Sequence, residues 1–254
     1  MALLRKLTQA RLAEILRRQD PPRFGTGYEP AIKATREEAP SKSRPAPVWV
    51  NKLGREVSTL SQPEREVLAV IVYCCPRLID IQEQRMLPFL PGLHPLHGHP
   101  MAVGLNLKPT RGTLQITDEL GYLRFHPVVH VDGRDDESSS QAPGCWIGDY
   151  LVFLYDESPF CVNINVKSTR SEFWAPQVSV SLRSDLRRAS MREKARHETE
   201  RVLYAEHEIQ TVEVAADELP RILAQNLTRL LGWQKRRTKL TEDDVEFVIN
   251  AFNE

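Results

Sequence analysis

Apolar and polar positions alternate most regularly between Gly148 and Thr169. Tyr150–Tyr155 is an aromatic and β-branched run, Asp156–Pro159 interrupts it, and Cys161–Lys167 resumes with a period of two. The pattern predicts two strands joined by a turn. It puts Val162, Ile164 and Val166 on a buried face, with Asn163, Asn165 and Lys167 together on the opposite one.

Other segments carry the helical period. Leu4, Leu7, Leu12 and Ile15 against Arg5, Arg11, Arg17 and Arg18 predict an amphipathic helix from Leu3 to Arg18, stopped by Pro21-Pro22. Ser61-Gln62-Pro63-Glu64 opens a helix running to about Cys75, with Pro63 in its first turn. Leu78–Ile81 and Met86–Phe89 are short strand candidates, and residues 113–132 hold weak strands at Leu123–Phe125 and Val128–Val131. Asp132 to Pro143 is polar and reads as a disordered loop. Beyond the central hairpin, the pattern predicts a charged helix or helix pair over Leu182–His207, a strand over Ile209–Val214 and a helix over Ala216–Trp233. A basic patch over Gln234–Lys239 and a short acidic helix end the chain. Helices flanking a mixed sheet make an α/β or α+β class.

Charge adds little on average, since 34 basic residues balance 34 acidic ones over 254 positions. Its distribution is less even: residues 1–48 hold ten Lys/Arg against five Asp/Glu. Such a basic arm suits a phosphate-backbone partner, and equally suits plain solubility. Residues 20–48 contain six prolines, and composition alone makes them a linker. The four cysteines form no Cys-x-x-Cys and read as reduced core residues. No signal peptide is visible, and the longest apolar run, Val67–Cys75, is too short to span a bilayer. The expectation is a soluble, cytoplasmic protein without a membrane partner.

Candidate chemistry centres on the hairpin. Asp149 opens the first strand, and Asn165-Val166-Lys167 lies on its partner. A carboxylate and an amide oxygen there suit a hard divalent cation, and an ammonium group suits an attacked phosphate. The plain alternative is an antiparallel hairpin with a polar solvent face. Ser61 and Glu64 have capping-box spacing. Glu64 also shares a helical face with Leu68, Ile71 and Cys75, which directs its carboxylate toward the core. Pro91–Pro100 holds His94, His97 and His99, but no acid or cysteine accompanies them as zinc co-ligands. Gln84 reads as an ordinary buried amide, with contact to DNA or to the catalytic shell as the alternative.

The order of several short stretches resembles TnsA, the endonuclease subunit of heteromeric cut-and-paste bacterial transposases. These are Tyr28-x-Pro30; Glu38-x-Pro40-Ser41-x-x-Arg44; Gly54-Arg55; Ser61-x-x-Glu64; Ile79-Asp80-Ile81-x-Glu83-Gln84; Gly148-Asp149-Tyr150-Leu151-Val152; and Asn165-Val166-Lys167. A charged helix around Arg192-Glu193-Lys194 and then Ala216-Asp217-Glu218 through Asn226-Leu227 continue the match, over roughly residues 10–230. The resemblance implies a restriction-endonuclease-like core over 49–233, an N-terminal helix and Pro-rich arm over 1–48, ordered from residue 24, and a C-terminal tail over 234–254. It implies cutting of the 5′ strands at transposon ends, beside a DDE-type transposase and an ATP-dependent regulator, on double-stranded DNA. Its metal ligands fall on Glu64 and Asp149, with Asn165 and the Val166 carbonyl completing the set for Mg²⁺, or Mn²⁺ as a substitute. Lys167 is the lysine beside the attacking water. Asn165 departs from the family's longer amide or acid and predicts modest metal affinity. Only about twenty residues follow Trp233, which implies that the family's further C-terminal domain is absent or reduced to the tail. Two rival expectations are a stand-alone nuclease of restriction or repair type and an inactive scaffold that bridges transposase and regulator.

Overall fold

A computed structural model of the chain describes residues 7–41, 43–131, 140–173, 183–236 and 241–253. Most of the polar loop predicted from Asp132, the first residues of the N-terminal helix and the basic positions Arg237 and Lys239 lie outside the described residues.

The first helix, α1 (Gln9–Gln19), is capped by Thr8, whose hydroxyl accepts from the Arg11 amide. Leu12 and Ile15 on one face pack with Ala31, Met86, Val129 and Cys145. Next come an antiparallel hairpin, β1 (Ala46–Val50) and β2 (Arg55–Thr59), then α2 (Gln62–Cys74) and β3 (Leu78–Glu83). A short helix, α3 (Thr113–Glu119), precedes a small antiparallel pair, β4 (Val128–Val131) with β5 (Ser140–Pro143). The chain continues through β6 (Tyr150–Tyr155), β7 (Pro159–Lys167), α4 (Arg183–Ala205), β8 (Gln210–Ala215), α5 (Arg221–Trp233) and α6 (Glu242–Asn253).

The structure is α/β, built on an open mixed sheet of order β3-β6-β7-β8. β3 pairs antiparallel with β6 and β6 with β7, while β7 runs parallel to β8. A parallel neighbour cannot be reached by a tight turn, and α4 supplies the long crossover.

Both faces of this sheet are covered. On one, Tyr150, Val152, Ile164 and Val166 pack with Val67, Leu68 and Val72 of α2, Leu227 and Leu231 of α5, and the β1–β2 hairpin. On the other, Leu151, Phe153 and Cys161 pack with Leu203 and Tyr204 of α4 and with Ile116 of α3. The polar side of β7 is therefore not in solvent: Asn163 and Asn165 are each 1% exposed. Period-two alternation distinguishes two faces but cannot say that a helix lies on the second.

The segment before β1 lies along β3. The Gly25 amide donates to the Asp80 carboxylate at 2.8 Å, Gln82 Nε2 to the Arg23 carbonyl at 2.9 Å, and the Tyr28 hydroxyl to the Glu83 carbonyl at 2.6 Å. The β1–β2 hairpin is tied to the same strand by a buried ion pair. Arg55 Nη1 and Nη2 reach the two Glu83 oxygens at 3.0 and 2.9 Å, and the Ser58 amide also donates to Glu83.

Three sequence expectations differ from the structure. Met86–Phe89 is no strand; Met86 makes a single bridge to Ile147. Weak strands over 113–132 give way to α3 and a 3₁₀ turn at Leu123–Phe125, leaving only Val128–Val131 extended. Ser140–Pro143, placed in a disordered loop, is strand β5. Among the described residues no helix is long and apolar enough to cross a membrane.

Candidate active site

Glu64 occupies the first turn of α2. Ser61 caps this helix, its hydroxyl accepting from the Glu64 amide at 3.2 Å and donating to Glu64 Oε1 at 2.8 Å. The other oxygen, Oε2, accepts from the Leu60 amide at 2.8 Å and from Gln84 Nε2 at 3.1 Å. The capping geometry is thus real, and it anchors a carboxylate that is only 8% exposed. Burial first, and then the charge of Asp149, push the Glu64 carboxyl from 4.5 up to about 7. That response to Asp149 brings together two acids separated by 85 positions of sequence.

Asp149 stands at the entry to β6. Its Oδ2 accepts from the Val166 amide of β7 at 2.7 Å, and its carbonyl accepts from the Gln84 amide at 2.8 Å. Gln84 therefore bridges the two acids, with its side chain on Glu64 and its backbone on Asp149. It sits just past β3 at φ 48, in the left-handed region that non-glycine residues seldom adopt. Gln84 is the buried amide that was expected, and its contacts place it between the two acids.

The pairing of Tyr150 with Ile164 puts Asn165 one step further along, opposite Asp149. Asn165 Oδ1 is buried and has no hydrogen-bond partner among the described residues. Val166 has its amide engaged by Asp149 and its side chain buried with α2 and α5. Lys167 ends β7, and its Nζ forms an ion pair with Glu193 of α4. Glu193 also lies 3.8 Å from His197 Nε2. Burial alone would raise the Glu193 carboxyl, but hydrogen bonds from His197 and Lys167 override it and hold it at about 2. Lys167 lies on the polar face of the strand, as expected, and α4 fixes its ammonium group there.

Helix α4 runs along the polar side of β7. Glu193 meets Lys167, and Glu200 accepts from Asn163 Nδ2 at 3.3 Å. Glu200 packs so closely on the strand entry that a Cβ at Gly148 would lie 2.8 Å from its Oε1. Sequence reading treated α4 only as a charged helix. The signal available was Glu193, His197 and Glu200 at helical spacing, one face of acids and imidazole facing the polar side of a strand.

Scanned against protein-family models the chain matches none, and a search of curated proteins returns no significant match.

The loop histidines serve local turns. His94 Nδ1 accepts from the Leu96 amide at 3.0 Å and His99 Nδ1 from the Met101 amide at 3.2 Å. Among the described residues no three His, Cys, Asp or Glu side chains gather at one point. A cation at Asp149 would thus rest on two carboxylates and an amide. The donor set still fits a hard ion. Two acids are held close enough that one resists ionisation, and a buried amide oxygen lacks a partner beside them.

Proposed function

We propose that this chain is a metal-dependent DNA endonuclease with a restriction-endonuclease-like core, acting as the subunit that cuts the 5′ strands at transposon ends. The observation carrying the reading is the convergence of Glu64, Asp149 and the unpartnered Asn165 oxygen, with Lys167 one alternate residue further along the same strand. Further support comes from the order of elements: a helix bearing an acid, a three-strand antiparallel meander, a crossover helix and a parallel strand.

In this mechanism Glu64, Asp149 and Asn165 would hold Mg²⁺, with the Val166 carbonyl as a further oxygen ligand. When bound, the ion supplies Lewis-acid activation of water and stabilisation of the leaving 3′ oxygen. Lys167, its ammonium group held by Glu193, would orient the attacking water and offset negative charge growing on the phosphate, the water's proton passing to solvent. Ser61, Leu60 and Gln84 hold Glu64 in place, so the carboxylate is positioned before substrate arrives. The basic N-terminal segment contacts phosphates without reading sequence, while end recognition falls to the transposase and target choice to the regulator.

One observation favours a second reading. With an amide where a third acid would stand, metal binding is weak, and the chain would then serve as an inactive bridge between transposase and regulator. The test is strand-specific cleavage of the element's end DNA in Mg²⁺ by this protein with its co-encoded transposase. A 5′-strand cut present in wild type and absent in Asp149→Ala supports the nuclease. An uncut 5′ strand alongside normal transposase cutting of the 3′ strand overturns it, and cutting without the transposase points to a stand-alone enzyme.

A further inference from the structure

Among the described residues, buried guanidinium groups come with counter-ions, apart from one. Arg18 is 7% exposed and is held by Glu38 and Glu14. Arg55, also 7% exposed, is held by Glu83. Arg85 is 8% exposed, yet its side chain makes no ion pair or hydrogen bond among the described residues, and its Nη1 is fully enclosed without a partner.

Arg85 lines a small cavity with room of about 10 Å³, together with Pro88, Leu93, Pro95, Thr110, Leu203 and Tyr204. No carboxylate lines it. Burial, then His207, then Arg85 push the nearby His94 imidazole down to about 4, so it is neutral at ordinary pH and brings no compensating charge. Glu200, one turn before Tyr204 on α4, is the acid best placed to compensate. Its Oε1 accepts from Asn163, and its Oε2, 3.5 Å from Arg196 Nη1, shares its charge with that guanidinium without a hydrogen bond. Glu206 is likewise taken by Arg111.

A buried cation without a counter-charge is strongly unfavourable, and a neutral water satisfies its hydrogen bond without compensating its charge. The cavity volume matches one water-sized guest, which excludes tetrahedral oxyanions such as phosphate or sulfate. The Tyr204 hydroxyl, which makes no hydrogen bond among the described residues, supplies a second donor at the rim. We propose that this cavity is a halide site, in which a single chloride ion lies against the Arg85 guanidinium and the Tyr204 hydroxyl.

The site has a structural consequence. The Arg85 carbonyl accepts from the Gly148 amide at 2.8 Å, and Gln84, which bridges Glu64 and Asp149, directly precedes Arg85. An ion anchoring Arg85 would therefore stiffen the left-handed turn on which both acids depend. The inference itself stands whether or not the chain cuts DNA.

Melting of the full chain in sodium chloride against sodium gluconate, at equal ionic strength, tests it. Chloride at about ten times its Kd shifts the folding equilibrium about elevenfold. For a chain of this size that amounts to roughly 3–6 °C. The rise should saturate as one site and disappear in a folded Arg85→Met variant. Crystals of the wild-type protein soaked in bromide provide a readout independent of any variant, with an anomalous peak expected beside Arg85. Equal melting in the two salts overturns the proposal, as does an unchanged chloride response in Arg85→Met. Bromide found only at the surface, with the cavity holding water, overturns it too.

Discussion

Asp149→Asn separates the electrostatics of the site from its chemistry. The Glu64 carboxyl stands at about 7 in the folded chain instead of 4.5, which corresponds to about 3 kcal/mol acting against its charged form in the native state. Burial is the larger cause and the Asp149 charge the second, so removing that charge should return about 1 kcal/mol. The sign follows from proton binding. Between pH 4.5 and about 7 the folded chain holds a proton at Glu64 that the unfolded chain has released. Stability from this group is thus fully present below that window, falls as pH rises through it, and levels off above. Asparagine keeps an oxygen to accept from the Val166 amide, so the strand contact survives the substitution. Urea denaturation in EDTA should find Asp149→Asn more stable than wild type at pH 8 by about 1 kcal/mol, with the gap closing by pH 5. Metal-dependent cleavage should be lost in the same variant. A variant that is less stable than wild type at pH 8, or whose gap does not change with pH, would refute the coupling between the two acids.

Other substitutions probe separate parts of the site. Lys167→Ala should reduce cleavage by about a hundredfold or more. Because the Glu193 pair is partly exposed, the same change should cost less than about 1 kcal/mol of stability; a large fall in melting temperature would mark Lys167 as structural. Arg55→Met leaves the Glu83 carboxylate buried without its partner and should cost about 3–5 kcal/mol, read as a lower urea midpoint. Asn165→Asp adds a third acid and should tighten Mg²⁺ binding by about tenfold in calorimetry, whereas unchanged affinity would place the ion elsewhere.

Much of this arrangement was legible in the chain because local pattern and tertiary outcome agree. The β6–β7 turn follows from Asp156–Pro159, and the start of α2 from Ser61, Pro63 and Glu64. What remained hidden depends on neighbours distant in sequence. The burial of Asn163 and Asn165 is decided by α4, which returns across the sheet more than twenty positions later. Lys167 acquires its partner Glu193 in the same way. Helix α3 was not foreseen, since Thr113, Ile116 and Thr117 are β-branched and favour strands in isolation, while here all three are buried in helical form. The β1–β2 hairpin went unannounced, since its strands are short and its turn rests on Gly54 at φ 62 rather than on an Asn-Gly pair. Gln84 was named correctly as buried, but its role comes from the fold bringing α2 and β6 to either side of it.

The segment lying along β3 has a practical consequence. β3 is an outer strand of the sheet, and Arg23, Gly25 and Tyr28 stand against its open side. A fragment trimmed to begin at the β1–β2 hairpin would retain Glu64, Asp149, Asn165 and Lys167, yet it would leave that side free to recruit a strand from another molecule. Its failure would take the form of precipitation and self-assembly during expression, and an absent activity in such a fragment would say nothing about the four residues it keeps.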